Sequence, residues 1–173
     1  MNKKILLTAL VLGVGYGSLG LGYEEQDLQK LRNSASNSCQ NCDLSGLDLS
    51  GGAFAGANLS GANLEGAIFS SSGGYNRTRM IGVNLEGANL SNVNFKGAML
   101  REANLKKTNL QNANFEGATL QQANLDGADL KGAKMDRIES LYHASFKNAK
   151  NVPATVKKHT NIDWRFEGAT FTE

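Results

Sequence analysis

The sequence predicts an all-β solenoid in which the chain turns a corner every five residues. Three observations carry this. Large apolar residues recur with period five, an uncharged and mostly small residue stands two places before each, and glycine recurs in the same phase. From Ala57 the chain reads Ala57-Asn58-Leu59-Ser60-Gly61, then Ala62-Asn63-Leu64-Glu65-Gly66. With the large apolar residue as the centre, centres fall at 44, 49, 54, 59, 64 and 69, then at 75 and every fifth residue to 135. All 19 are Leu, Phe, Met or Tyr. In a chain that is 40% hydrophobic, chance gives this on the order of 10⁻⁸. Two residues before the centre, 11 of the 19 residues are Ala and none is charged.

A period of five matches neither a helix nor an alternating strand. It suits a chain whose centre and small residue point inward while the other three positions point outward. Glycine after many centres supplies turn conformations that a Cβ disfavours. Asn or Asp just before the centre can bond nearby backbone.

Along the chain, residues 1–22 read as a secretory signal peptide. Lys3 and Lys4 precede an apolar run from Ile5 to Val14, and small residues follow. Cleavage after Gly22 leaves Tyr23 as the first mature residue; an uncleaved anchor is the alternative. Residues 23–41 are expected to form an N-terminal cap, with a short helix over Glu24 to Asn33 burying Leu28 and Leu31. Residues 42–148 are the repeat, about five coils and roughly 25 Å tall at strand spacing. Residues 149–173 are a C-terminal cap, irregular or with a short helix from Pro153 to His159. In that cap Trp164, Phe166 and Phe171 fold back over the last coil.

These repeats resemble the signature of the pentapeptide-repeat family. The resemblance covers about 42–148 and implies a right-handed quadrilateral β-helix with four repeats per coil. Every fourth centre then shares a face. One face takes Phe54, Tyr75, Phe95 and Phe115, followed by Met135, as a core aromatic ladder. The step from Phe69 to Tyr75 is six residues, read as a one-residue bulge in Ser70-Ser71-Ser72, with a free loop from Ser70 to Gly82 as the second choice. A second slip between Met135 and Leu141 puts Glu139 at an inward slot, which is costly for a charge, so the backbone there should bulge and release it. Outward Ile68, Ile81 and Met99 then lie on different faces. Glu86, Lys106, Asp126 and Lys147 follow successive centres on one face with alternating sign.

Cys39-Gln40-Asn41-Cys42 is the one local motif with chemistry. A zinc site needs about four ligands, and there is no second cysteine pair. A thiol oxidoreductase would place the motif at a helix start in a βαβ unit. In an exported chain the pair suits a structural disulfide locking the cap to the first coil; a reduced, partly buried pair and a redox or metal role are the alternatives. The placement of Cys-x-x-Cys just before the repeats is similar to that in exported cyanobacterial members, which implies a periplasmic or thylakoid-lumenal setting.

Of 18 basic residues, Lys3 and Lys4 leave with the leader, so 16 basic face 16 acidic residues. This opposes nucleic-acid binding through excess Lys and Arg. It also opposes a DNA-mimicking topoisomerase inhibitor, which needs a strongly acidic surface and cytosolic access. His143 and His159 lack an evident acid or nucleophile partner, so no catalytic, cofactor or metal residue is assigned. The expected function is a non-enzymatic exported scaffold or protein-binding module. Its partner is a protein, with no nucleic acid and no membrane contact after leader cleavage. The topoisomerase inhibitor and a thiol redox protein using Cys39 and Cys42 are the alternatives.

Overall fold

A computed structural model describes residues 25–35, 37–71, 77–159 and 166–172. The expected cleavage site at Gly22 and Tyr23 lies outside these residues, as do Tyr75 and Trp164.

The repeats form a four-sided parallel solenoid. Each side holds a short bridge to the same side of the next coil, as in Asn84 to Asn104, Asn89 to Asn109, Asn94 to Asn114 and Met99 to Thr119. Corners are turns in which the small inward residue donates its amide to the preceding centre's carbonyl. Examples are Ala57 to Phe54 at 3.0 Å and Ala88 to Leu85 at 3.0 Å. The second residue after the centre must then adopt positive φ, as position i+2 of a type II turn does. Gly61 sits there at φ 68°, and Lys107 and Gln122 are held in the same region at 55° and 58°.

The centres stack in four columns. The first is Leu44, Leu64, Leu90, Leu110 and Leu130. The second is Leu49, Phe69, Phe95, Phe115 and Met135. The third is Phe54, Met80, Leu100, Leu120 and Leu141. The fourth is Cys39, Leu59, Leu85, Leu105, Leu125 and Phe146. Nearly all are fully buried, and the inward alanines fill the corners between them. This gives five complete coils, each closed by the third column.

The register through residues 70–77 differs from the one expected. Ala53 bridges Arg79 and Ile68 bridges Asn94, so the coil carrying this segment is 26 residues long. This coil therefore carries six more residues than the others that lack a slip. Phe54 stands over Met80, and Phe95 stands under Phe69, so the expected ladder fails at Phe54 and Phe95, which do not share a column; Tyr75 lies outside the described residues. The aromatic ladder is Phe69, Phe95 and Phe115, stacked at 5.4 Å with interplanar angles of 25° and 27°. Phe54 meets Phe69 edge-on across the corner at 5.5 Å. An insertion of one repeat plus one residue leaves all later repeats in phase with each other, so periodicity alone cannot separate it from a bulge. Thr78 resumes the coil: it is fully buried, accepts the Gly51 amide and donates to the Ser70 carbonyl.

The second slip falls between Lys134, paired with Asn114, and Ser140, paired with Thr119. Ile138 turns inward, while Glu139 points out with 55% of its side chain exposed.

At the N-terminus, helix α1 (Glu25–Asn33) lays Leu28 and Leu31 on the first coil. Glu25 and Asp27 stand in its first turn and Lys30 and Arg32 in its last, which suits the helix dipole. The ladder starts earlier than residue 42. Cys39 donates its amide to Asn58 O at 2.9 Å, and Asn58 donates to Ser38 Oγ at 2.8 Å. At the other end, strand β1 (Val152–Pro153) precedes a 3₁₀ helix (Ala154–His159). Beyond it the chain rejoins the coil rather than only folding over it. Strand β2 (Phe171–Thr172) pairs in parallel with β1, and Phe166 stacks on Phe146 at 5.3 Å.

Candidate functional site

Two regions offer chemistry, the N-terminal cap and the outer faces. In the cap, Cys39 and Cys42 are joined by a disulfide with their Cα atoms 5.6 Å apart, and both are buried. Cys39 is the first centre of the fourth column and Cys42 the inward residue before Leu44, so the bridge spans one corner of the first coil. Asp27 ties this corner to α1. Its Oδ2 accepts the Asp43 amide at 2.8 Å, and its carbonyl lies 3.4 Å from Cys39 Sγ. Its Oδ1 accepts from Lys30 Nζ at 2.6 Å. The hydrogen bond from Lys30, followed by that from the Asp43 amide, holds the Asp27 carboxyl below its ordinary range. Asp27, Cys39 and Cys42 bring three potential metal-ligand atoms within 4.8 Å of one another. The two sulfurs are bonded to each other and the carboxylate is already engaged, so this set does not fit a metal ion.

On the outer faces, Asn and Asp before the centres do double work. Each Oδ1 accepts the amide two residues on, as Asn63 does from Glu65 and Asn104 from Lys106. Side-chain amides also donate to the Oδ1 one coil away: Asn89 to Asn63, Asn109 to Asn89, and Asn104 to Asn84. Asp129 extends one such ladder. Burial pushes its pKa up, but donors on Asn151, Gln111 and the Lys131 amide outweigh burial and leave the carboxyl below its ordinary range.

This arrangement occupies the first, second and fourth faces. The third has Ala53, Arg79, Met99, Thr119 and Ser140 at the equivalent positions, with no Asn or Asp among them. The same face carries Ile81 and Met99 together, correcting the expectation that they scatter: they flank Met80 and Leu100, which stand four repeats apart and stack in one column. It also carries Tyr142, 68% exposed, the one exposed large hydrophobic residue among those described.

The alternating charges expected on one face do share the fourth face. There Asp126 accepts from Ser145 Oγ at 2.6 Å and from the Lys147 amide at 2.9 Å, and Lys147 pairs with Glu167 at 3.4 Å. At the corner between the second and third faces, Glu116 meets Lys96 at 3.0 Å and Arg137 at 3.1 Å. The Lys96 hydrogen bond, then the Arg137 charge, hold its pKa below the ordinary value. Beside it, Arg77 donates to the carbonyls of Gly97 and Gly117 and to Glu139 Oε2. Sequence reasoning did not find this clamp, since its partners lie 20, 40 and 62 residues away.

The geometry defines a side-chain-filled, four-sided β-solenoid. A family model for pentapeptide repeats matches residues 38–72, 78–117 and 98–137, with eight copies. The chain belongs to the pentapeptide-repeat family, whose members fold as right-handed quadrilateral β-helices. Among solved structures it is similar to a pentapeptide repeat protein from the cyanobacterium Cyanothece 51142. Identity is 29%, over 72% of this chain and 92% of that one, with a TM-score of 0.44. One from Nostoc PCC 7120 is 28% identical over 69% and 84%, with a TM-score of 0.43. One from the Arabidopsis thaliana thylakoid lumen is 26% identical over 65% and 66%, with a TM-score of 0.32. No curated protein matches the sequence. No helix among the described residues is long and apolar enough to cross a membrane.

Proposed function

We propose that this protein is a non-enzymatic, exported scaffold that binds another protein through its outer faces. The observation that carries this reading is the interior. All four columns and the corners between them are packed with side chains, so the outer faces are what the coils offer to another molecule. Parallel rungs about 4.8 Å apart present those side chains in a rigid grid. The buried Cys39–Cys42 disulfide favours an oxidising compartment, periplasm or thylakoid lumen. Cleavage after Gly22 belongs to the same reading.

The test has two parts. Intact mass of the protein from its native cells, before and after reduction and alkylation, should begin at Tyr23 and show both cysteines bonded. A full-length mass with two free thiols would reject export. Cross-linking in that compartment should then yield one protein that rebinds the purified chain saturably. A reproducible catalytic activity abolished by changing one surface residue would reject the scaffold reading.

A further inference from the structure

We propose that the third face, from Ala53 and Ala55 through Arg79, Ile81, Met99 and Arg101 to Tyr142, is the docking face, and that its occupant is a partner protein presenting carboxylates beside apolar side chains. This rests on the binding-module reading and assigns it a surface.

Four independent features converge there. First, the Asn and Asp residues that brace the outer turns of the other three faces are missing. The amide of Tyr142 reaches only Ser140 Oγ, at 3.4 Å. Local backbone chemistry therefore does not select these residues. Second, Arg79 bridges Met99, and Gly82 donates its amide to Arg101 O, so Arg79 and Ile81 lie over Met99 and Arg101. Two arginines and two apolar side chains alternate in one small square. Third, exposed Arg79 has no ion-pair partner among the described residues, while Arg101 pairs only with its neighbour Glu102, both half-exposed. Solvent-facing pairs of that kind are weak and exchange readily for an incoming carboxylate. Fourth, Tyr142 adds an exposed aromatic ring at the far end, and Tyr and Arg are the residues that dominate protein interfaces.

Charge selects the occupant. Glu102, Glu116 and Glu139 are carboxylates at the margins of this face; Glu116 is paired with Lys96 and Arg137, and Glu139 is held by Arg77. A second copy laid face to face would oppose arginines with arginines. An acidic partial surface on a different protein would neutralise both, with its apolar groups covering Ile81 and Met99.

The probe is a displayed library of random peptides of about twelve residues, selected on the disulfide-bonded mature chain. The expected result is enrichment of Asp or Glu beside apolar residues. A synthetic selected peptide should lose at least roughly tenfold in affinity on Arg79→Glu/Arg101→Glu, and similarly on Ile81→Ser/Met99→Ser. Lys106→Glu/Lys131→Glu changes the net charge equally on other faces and should leave binding within about twofold. Circular dichroism and the urea midpoint verify that each variant is folded. Peptides that bind the arginine variant as well as the wild type, or that are lost on the control variant, overturn the face while leaving the binding-module reading intact. Failure to enrich any peptide counts against both. A dimer by sedimentation that Arg79→Glu/Arg101→Glu dissociates overturns the heterologous partner in favour of a second copy.

Discussion

Phe69 lies over Phe95 with ring centroids 5.4 Å apart and planes 25° from parallel, although a full coil and six extra residues separate them. Phe54, on the neighbouring column, has Met80 beneath it instead. A double-mutant cycle on Phe69→Leu and Phe95→Leu should therefore give a coupling of about 0.5–1.5 kcal/mol. The same cycle on Phe54 and Phe95 should give about zero. Urea unfolding of the four variants measures both, and the reverse ordering would restore the one-residue bulge.

Arg77 is expected to matter more than its ion pair. Arg77→Ala removes donors from the Gly97 and Gly117 carbonyls as well as from Glu139, and should cost about 1–3 kcal/mol. Glu139→Gln loses only an exposed pair and should cost less than about 1 kcal/mol. Equilibrium denaturation distinguishes them.

The disulfide closes a short loop, so Cys39→Ala/Cys42→Ala should lower stability by about 2 kcal/mol. In a solenoid each coil senses mainly its neighbours. Hydrogen exchange should therefore speed up in α1 and the first coil and change little around Phe115 and Leu125.

Three carboxyls, Asp27, Glu116 and Asp129, titrate below their ordinary values in the fold. Folding thus favours their ionised forms. Their stabilisation is complete above the unfolded values, near 3.8 for Asp27 and Asp129 and 4.5 for Glu116. It is lost as pH falls through the lowered folded values. Urea midpoints measured down to a pH of about 2 should fall in this acid range. Asp27→Asn should be less stable at neutral pH and lose less on acidification.

Lys107 holds φ 55° at a corner where Gly87 and Gly127, one coil away on either side, hold 70° and 71°. Lys107→Gly relieves a left-handed residue at some cost in unfolded-chain entropy. A net gain of up to about 1 kcal/mol is expected, read as a higher melting temperature.

The five-residue period, the small inward residues and the amphipathic helix before the repeats were all legible in the sequence, because each is a local pattern repeated many times. The path through residues 70–77 was not. Phe54, Tyr75 and Phe95 are spaced like a ladder, and so are Phe69, Phe95 and Phe115 once six residues are set aside; only through-space pairing of Ile68 with Asn94 separates them. That Ile81 and Met99 share a face was also open to reading, since Met80 and Leu100 stand four repeats apart in either register; the inserted segment changes only the earlier residue that completes the face, Ala53 in place of Asn58. Cys39 was legible as a centre in hindsight, five residues before Leu44, but its small sulfur did not stand out among Leu and Phe.

Arg77 leaves the chain at the second coil and touches the third, fourth and fifth. A stack held only by adjacent rungs behaves like a row of beads, free to fray inward from either end one unit at a time. One side chain bridging non-adjacent rungs adds longer-range coupling to that row. Fraying from the C-terminal end that removes the fifth coil must break a bond anchored at the second. The middle of the rod should consequently open as a block, and partially unwound forms that stop between these coils should be rarer than in a repeat array without such a tie.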